Sequence, residues 1–320
     1  LIKCYLKILI FSCFISNVSA QQFPQYTQFI FNKIGYNPAA SGTSVNAPYE
    51  LIFGARTQWI GVSNNPKSGF ASFNYNFVPK HAYSKWHNVG IYIDQDQNGN
   101  FVHNDVWLSY TFHLLLSKKL LLSSGVFAGI KQYRITKNNL DRNDPAVSGS
   151  ANSTIALPDI SPGVRLSNKK FFIDFALQQI TVFSQRGIGG KIGSPSRVIP
   201  HYIFSIGKKG KWNDFNTLML AMNFHGSVSG LPSTELNIMN YYNKRFAFGF
   251  SVRGKNFISG IIQFRMFGSV NVGLAYDLSI NKMFRGSPNT GEIMVSFSPV
   301  FGGELVEKTK LGRPVDECSF

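Results

Sequence analysis

Between Arg245 and Leu278, three consecutive runs alternate apolar with small or polar side chains. In the first, Phe246, Phe248, Phe250 and Val252 share one side, and Ala247, Gly249, Ser251 and Arg253 share the other. The second sets Ile258, Gly260, Ile262 and Phe264 against Phe257, Ser259, Ile261, Gln263 and Arg265. The third sets Val270, Val272, Leu274 and Tyr276 against Ser269, Asn271, Gly273, Ala275 and Asp277. A period of two is that of a strand, not a helix. Runs of about 9 to 11 residues, apolar on one side, suit tilted strands of a closed antiparallel barrel in a bilayer. A soluble up-and-down barrel or sandwich, with the apolar side turned inward, fits this stretch equally well.

The same alternation predicts a first strand over Tyr49 to Ile60, with Leu51, Phe53, Ala55, Thr57 and Trp59 opposite Ile52, Gly54, Arg56 and Gln58. Further strands are expected at Ser68 to Phe77, His87 to Asp96, Val102 to Phe112, Lys119 to Tyr133 and Asp159 to Leu166. Lys170 to Gln179, Val198 to Gly207, Phe215 to His225, Glu235 to Tyr242 and Gly291 to Ser298 complete a set of fourteen with the three opening runs.

The connections separate membrane from soluble. Counted from the first strand, odd-numbered gaps include the longest: Arg134 to Pro158, Ile180 to Arg197, Gly226 to Thr234 and Ser279 to Thr290. Most even-numbered gaps are tight, as at His113 to Lys118, Ser167 to Lys169, Asn243 to Lys244 and Met266 to Gly268. Outer-membrane barrels sort connections in this way, short turns on the periplasmic side and long loops outside, whereas a soluble sandwich has no reason to. The gap from Val78 to Trp86 and the brief Gly254 to Asn256 are exceptions. The expected fold is therefore an all-β transmembrane antiparallel barrel of about fourteen strands over residues 49–299. An irregular leader, 21–48, is expected to pack on or in it, and a polar tail, 300–320, to follow.

Leu1 to Ala20 reads as a secretory signal. Lys3 and Lys7 precede an apolar stretch from Ile8 to Ile15, and Val18-Ser19-Ala20 is a small-residue cleavage site. Cleavage after Ala20 would remove Cys4 and Cys13, leaving Cys318 alone, so no disulfide framework or cysteine metal site is expected. The chain carries 320 residues, 44% hydrophobic and 15% charged, with a net charge of +16. Outside the N-terminus no apolar run reaches the roughly 18 residues of a helical span.

Basic residues gather at the even-numbered turns: Lys118-Lys119, Lys169-Lys170, Lys208-Lys209 with Lys211, and Lys244-Arg245. This places them on the periplasmic rim, either as solvated lysines reaching past the apolar band or as a docking face for an acidic partner. Trp59, Trp86, Trp107 and Trp212 near strand ends suit interfacial girdles. Arg56, Gln58, Asn74, Gln263 and Arg265 lie on the side expected to line a polar interior, open or plugged.

Catalytic chemistry is not legible. The six histidines show no metal spacing, and no nucleophile elbow or phosphate loop occurs. Asp94 to Asn100 lacks the closing glutamate of a calcium loop and reads as a turn between strands. Gly187-Ile188-Gly189-Gly190 follows no strand leading into a helix. No enzyme activity, cofactor, metal or nucleic-acid partner is expected.

A set of motifs resembles the PorP/SprF family of type IX secretion membrane proteins of the Bacteroidetes. These are Gln25-Tyr26-Thr27-Gln28-Phe29, Phe31-Asn32, Asn37-Pro38-Ala39-Ala40-Ser41-Gly42, Arg56-Thr57-Gln58-Trp59-Ile60-Gly61 and Asn65-Pro66-Lys67-Ser68. Later echoes are Asn88-Val89-Gly90, Asp144-Pro145-Ala146, Pro162-Gly163 and Gly291-Glu292-Ile293-Met294. The resemblance implies an accessory barrel in the outer membrane of a Gram-negative bacterium, supporting type IX secretion and, in gliding species, export of surface adhesins. Implied partners are outer-membrane lipid, periplasmic ring or peptidoglycan-associated components, and secreted cargo adhesins. The family motif singles out Asn37, Pro38, Gly42, Arg56, Gln58, Trp59 and Pro66. Asn37 and Pro38 would fix the turn bringing the leader to the barrel, Arg56 and Gln58 would hold it there, and Trp59 would mark the membrane boundary. Each also has a packing-only reading. A porin or small-solute transporter is the alternative function.

Overall fold

The computed structural model describes residues 25–44, 47–78, 84–117, 119–135, 154–180, 199–227, 232–255, 257–280 and 289–299. The signal segment 1–20, Lys118, Asp144 to Ala146 and the tail 300–320 lie outside the described residues. The leader contributes a one-turn helix α1 (Lys33–Tyr36) and a 3-10 turn (Pro38–Ala40). The strands are β1 (Tyr49–Gln58), β2 (Lys67–Phe77), β3 (Lys85–Asn98), β4 (Phe101–Ser117), β5 (Leu120–Ile135), β6 (Thr154–Ser167) and β7 (Phe171–Gln178). They continue as β8 (His201–Lys211), β9 (Asn216–Ser227), β10 (Ser233–Tyr242), β11 (Phe246–Arg253), β12 (Phe257–Met266), β13 (Val270–Ser279) and β14 (Asn289–Phe297).

Each strand pairs antiparallel with its sequence neighbours, and β1 pairs with β14, so a fourteen-stranded sheet closes on itself. Closure leaves no unpaired edge, as a bilayer requires. The three opening runs are β11, β12 and β13. Phe248, Phe250, Ile262, Leu274 and Tyr276 point outward and are exposed, while Ser251, Ser259, Gln263 and Asp277 are buried inside. An outward apolar wall of this extent, continued by Leu108, Ile130 and Phe175, is the lipid-facing surface of a membrane barrel and excludes the soluble arrangement.

Several strands run past their expected ends. The ladder of β3, β4, β5 and β6 continues into a segment where outward positions turn polar. Gln95 Nε2 donates to Asn104 Oδ1 at 2.8 Å, and Asn104 Nδ2 donates to Gln132 Oε1 at 3.2 Å. Beyond Ile93, Val106 and Ile130 the wall has left the apolar band, so the alternation that marks a strand in sequence disappears while the backbone pairing persists. Pro158, read as a boundary, lies within β6, whose pairing with β5 extends to Thr154 opposite Arg134. The Asp94 to Asn100 segment forms the end of β3 and its tight turn into β4.

The interior departs from the expected uniform polarity. Phe70 stacks on Tyr92 at 5.6 Å, and Phe127 stands between Tyr92 and Trp107 at 5.9 and 5.8 Å, all facing the lumen. These rings have something apolar to meet, because the leader brings Tyr26, Phe29, Ile34 and Tyr36 into the lumen, where all four are buried. Trp86 and Trp107, expected in interfacial girdles, are buried inside instead. Trp86 Nε1 donates to the Gly42 carbonyl of the leader at 3.0 Å. Trp59 and Trp212 do sit at strand ends.

Candidate functional site

The leader runs through the lumen from the long-loop end, where Gln25 meets His225 and Ser233, to the short-turn end, where Asn76 Nδ2 donates to the Ser44 and Ala47 carbonyls. Nearly every wall strand between these ends touches it.

At the long-loop end the attachment is ionic. Arg56 of β1 places one guanidinium nitrogen 2.7 Å from Asp277 and the other 3.0 Å from Glu292, all three side chains being buried. Thr27 of the leader sits among them with full valence. Its hydroxyl donates to Asp277 at 2.7 Å and accepts from Arg56 at 3.0 Å and Arg253 at 3.1 Å. Its backbone N–H donates to Glu292 at 2.9 Å, and that of Gln28 donates to the same carboxylate at 3.0 Å. Arg253 is held by Glu235 at 3.2 Å. Charges this deep are tolerated only when paired and hydrogen-bonded, and the leader supplies part of that pairing. Thr27→Val keeps the shape and removes the hydroxyl, so it is expected to lower stability by about 1–3 kcal/mol, read as a shift in the urea unfolding midpoint.

Midway, the leader lies against the wall backbone. Asn37 caps the 3-10 turn by accepting from Ala39 N–H at 2.9 Å, while its amide donates to the Val164 carbonyl at 2.9 Å. Pro38 starts that turn, and its carbonyl accepts from Thr111 at 2.8 Å. Gly125 of β5 and Gly163 of β6 make the approach possible: a side-chain carbon at either would collide with Ala39, Pro38 or Asn37. Gly42 adopts φ +65°, and a Cβ there would meet Asn76 and Asn88. The space left beside Tyr26, Tyr92, Asp105 and Lys131 is ≈ 20 Å³, room for about one water. The described leader thus fills this part of the lumen.

Below the leader, at the short-turn end, a cavity of ≈ 950 Å³ opens. Among the described residues, seven lysines, Arg265 and one carboxylate, Glu50, line it. Lys169, Lys170, Lys208, Lys209, Lys211 and Lys244, expected as a rim face, are all brought to it. The residues Lys208 to Lys211, expected in a turn, instead end β8. Alternation along that strand turns Lys209 toward the lumen, its ammonium 5.1 Å from the Tyr241 ring centre, and leaves Lys208 exposed. Lys119 and Arg245 are exposed at turns outside the cavity. Lys33 of the leader and Arg265 of β12 join the lining. Lys33 belongs to no run of basic residues, so only the path of the leader could have placed it there.

The remaining motif residues are spread along the first hairpin. Gln58 ends β1, and its backbone closes the following loop, its N–H donating to the Pro66 carbonyl at 2.9 Å and its carbonyl accepting from Asn65 at 2.7 Å. Among the described residues its side chain makes no hydrogen bond to the leader; it stands opposite buried Thr290 of β14, and the strand ends at Trp59, which turns to φ 51°. Trp59 is half-buried, and its carbonyl accepts from Val62 N–H at 3.1 Å. Among the described residues, no group of three or more His, Cys, Asp or Glu could hold a metal ion.

Solved outer-membrane barrels share this architecture. The Ralstonia pickettii toluene transporter TbuX matches at 9% identity with a TM-score of 0.52, over 83% of this chain and 92% of that one. The CymD monoaromatic hydrocarbon channel matches at 10% identity and 0.53, over 87% and 94%. A Pseudomonas aeruginosa FadL homologue matches at 10% and 0.50, over 86% and 95%. At such identities the likeness is one of fold. No curated protein matches the sequence significantly. The family model of the type IX secretion system membrane protein PorP/SprF matches residues 18–297. With that match spanning the leader and every strand of the barrel, the chain belongs to the PorP/SprF family.

Proposed function

We propose that this chain is an accessory outer-membrane component of the type IX secretion system. It supports export of surface and gliding adhesins through contacts with periplasmic machinery or cargo C-terminal domains. The short-turn end faces the periplasm, following the sorting of loop lengths, and carries the contacts. The observation that supports this reading is the leader itself: a lumen plugged midway by its own chain, hydrogen-bonded to strands from β1 to β14, suits a scaffold better than a conduit. The same observation weighs against a porin or small-solute transporter, despite the fold shared with hydrocarbon channels.

Deleting the gene and assaying adhesins on the cell surface tests the reading, with loss of surface cargo expected and unchanged export contradicting it. The docking end is tested separately. Reversing Lys208, Lys209 and Lys211 to Glu is expected to reduce recovery of the periplasmic complex severalfold while membrane insertion stays intact. Recovery equal to wild type removes the basic end from the account.

A further inference from the structure

At the short-turn end, the turn from β8 to β9 carries two large aromatic side chains into the open. Trp212 is 75% and Phe215 61% exposed, and Tyr242, at the end of β10, is 47% exposed. The backbone that presents them is tied down. Asn213 Oδ1 accepts from the N–H groups of Phe215 at 3.0 Å and Asn216 at 2.7 Å, and Trp212 N–H donates to the Asn216 carbonyl at 3.0 Å. The next turn is joined to this one, since Asn243 N–H donates to the Phe215 carbonyl at 2.7 Å and the rings of Phe215 and Tyr242 lie 6.5 Å apart. Aromatic anchors held in place before binding lose little freedom when a partner covers them.

The lipid-facing wall stops short of this corner. Met219, Met239 and Tyr241 are buried inside, so their neighbours Asn216 and Asn240 face outward, where Asn240 Nδ2 donates to Asn216 Oδ1 at 2.9 Å. On β8 the outward side likewise turns from Ile206 to exposed Lys208. Trp212, Phe215 and Tyr242 follow beyond that polar level. The turn from β12 to β13 differs: its outward side stays apolar through Met266 and its partner Val270, and Phe267, 90% exposed, continues the wall. Charge marks the corner as well. Lys211 adjoins Trp212, Lys244 and Arg245 follow Tyr242, and Lys208 precedes them on β8; all four are exposed, and Asp214 is the one acidic residue of the two turns.

We infer that this corner is a docking point for a protein partner that offers an apolar pocket ringed by Asp or Glu. An aromatic centre with a rim of one charge is complementary to that surface, the rings supplying affinity and the cations the choice of partner. The inference rests on the proposed orientation of the short-turn end toward the periplasm and deepens it by naming the surface and the chemistry of what it meets.

The test uses the full chain in its own cells, with the photo-crosslinker p-benzoylphenylalanine in place of Trp212 in one strain and of Phe267 in another. Heat-modifiable gel mobility checks that each inserts as a folded barrel, and position 215 serves if the variant at 212 does not. Mass spectrometry identifies the adducts. At 212 the expected adduct is a protein segment whose apolar residues are flanked by Asp or Glu, formed at least about fivefold less when Lys211→Glu/Lys244→Glu is added. At 267 the expected adduct is phospholipid. Phospholipid alone at 212, a second copy of this chain, no adduct from a folded barrel, or a protein adduct indifferent to the charge reversal overturns the docking point. So does equal capture of the same protein at 267. If export needs the chain but position 212 captures only lipid, the docking point falls and the proposed function stands. If 212 captures an acid-flanked segment as expected and deletion leaves export intact, the docking point stands and the function falls.

Discussion

Replacing Arg56 with methionine is expected to destabilise the folded barrel by about 3–5 kcal/mol. The guanidinium bridges Asp277 and Glu292, both buried, so its removal leaves two carboxylates in the lumen facing each other with little but Thr27, Gln28 and the more distant Arg253 to answer them. Most of the loss comes from that uncompensated charge and only part from the bonds themselves. Arg56→Lys keeps the charge but loses the fork that spans two carboxylates, so it is expected to fall between wild type and Arg56→Met. Urea unfolding in detergent, followed by gel mobility, orders the three. If Arg56→Met unfolds with wild type, the ionic cluster does not hold the long-loop end together.

Forcing the leader off the wall is expected to open the barrel. Gly125→Leu together with Gly163→Leu places side chains where Ala39, Pro38 and Asn37 now stand, while the strands that carry them keep their ladder partners. The cheapest relief is displacement of the leader's middle section, since the wall is a continuous ladder of paired strands and the leader is held there by side-chain contacts. The double variant is expected to turn a resistant leader into one cut by added protease, and to show current steps in planar bilayers that wild type lacks. A leader as resistant as wild type, in a variant that still inserts, would mean that the glycines accommodate nothing.

The barrel was legible because lipid imposes a simple rule on outward side chains, and Phe246, Phe248, Phe250 and Val252 obey it without interruption. Loop sorting was legible for the same reason, since the two sides of a membrane ask different things of a connection. What the alternation hid lies inside and beyond the apolar band. Phe70, Tyr92, Trp107 and Phe127 occupy lumen positions that the rule assigns to polar residues, because the solvent they meet is the leader and not water. Arg56 was found by motif and by parity, but its carboxylate partners lie on β13 and β14, more than two hundred residues away in sequence. The lysine clusters were visible, though not their concavity, because strand β8 continues through residues that looked like a turn. Gln58 has the parity of an inward residue and keeps it opposite Thr290, but it is the last residue of β1 before the left-handed turn at Trp59.

The central claim is that the chain seals its own lumen with its leader and works by contact. Purified wild-type protein reconstituted into planar bilayers tests it most directly. Inserted, heat-modifiable barrels that pass no sustained current are expected, and a steady ohmic conductance from wild type would contradict a lumen sealed by the leader.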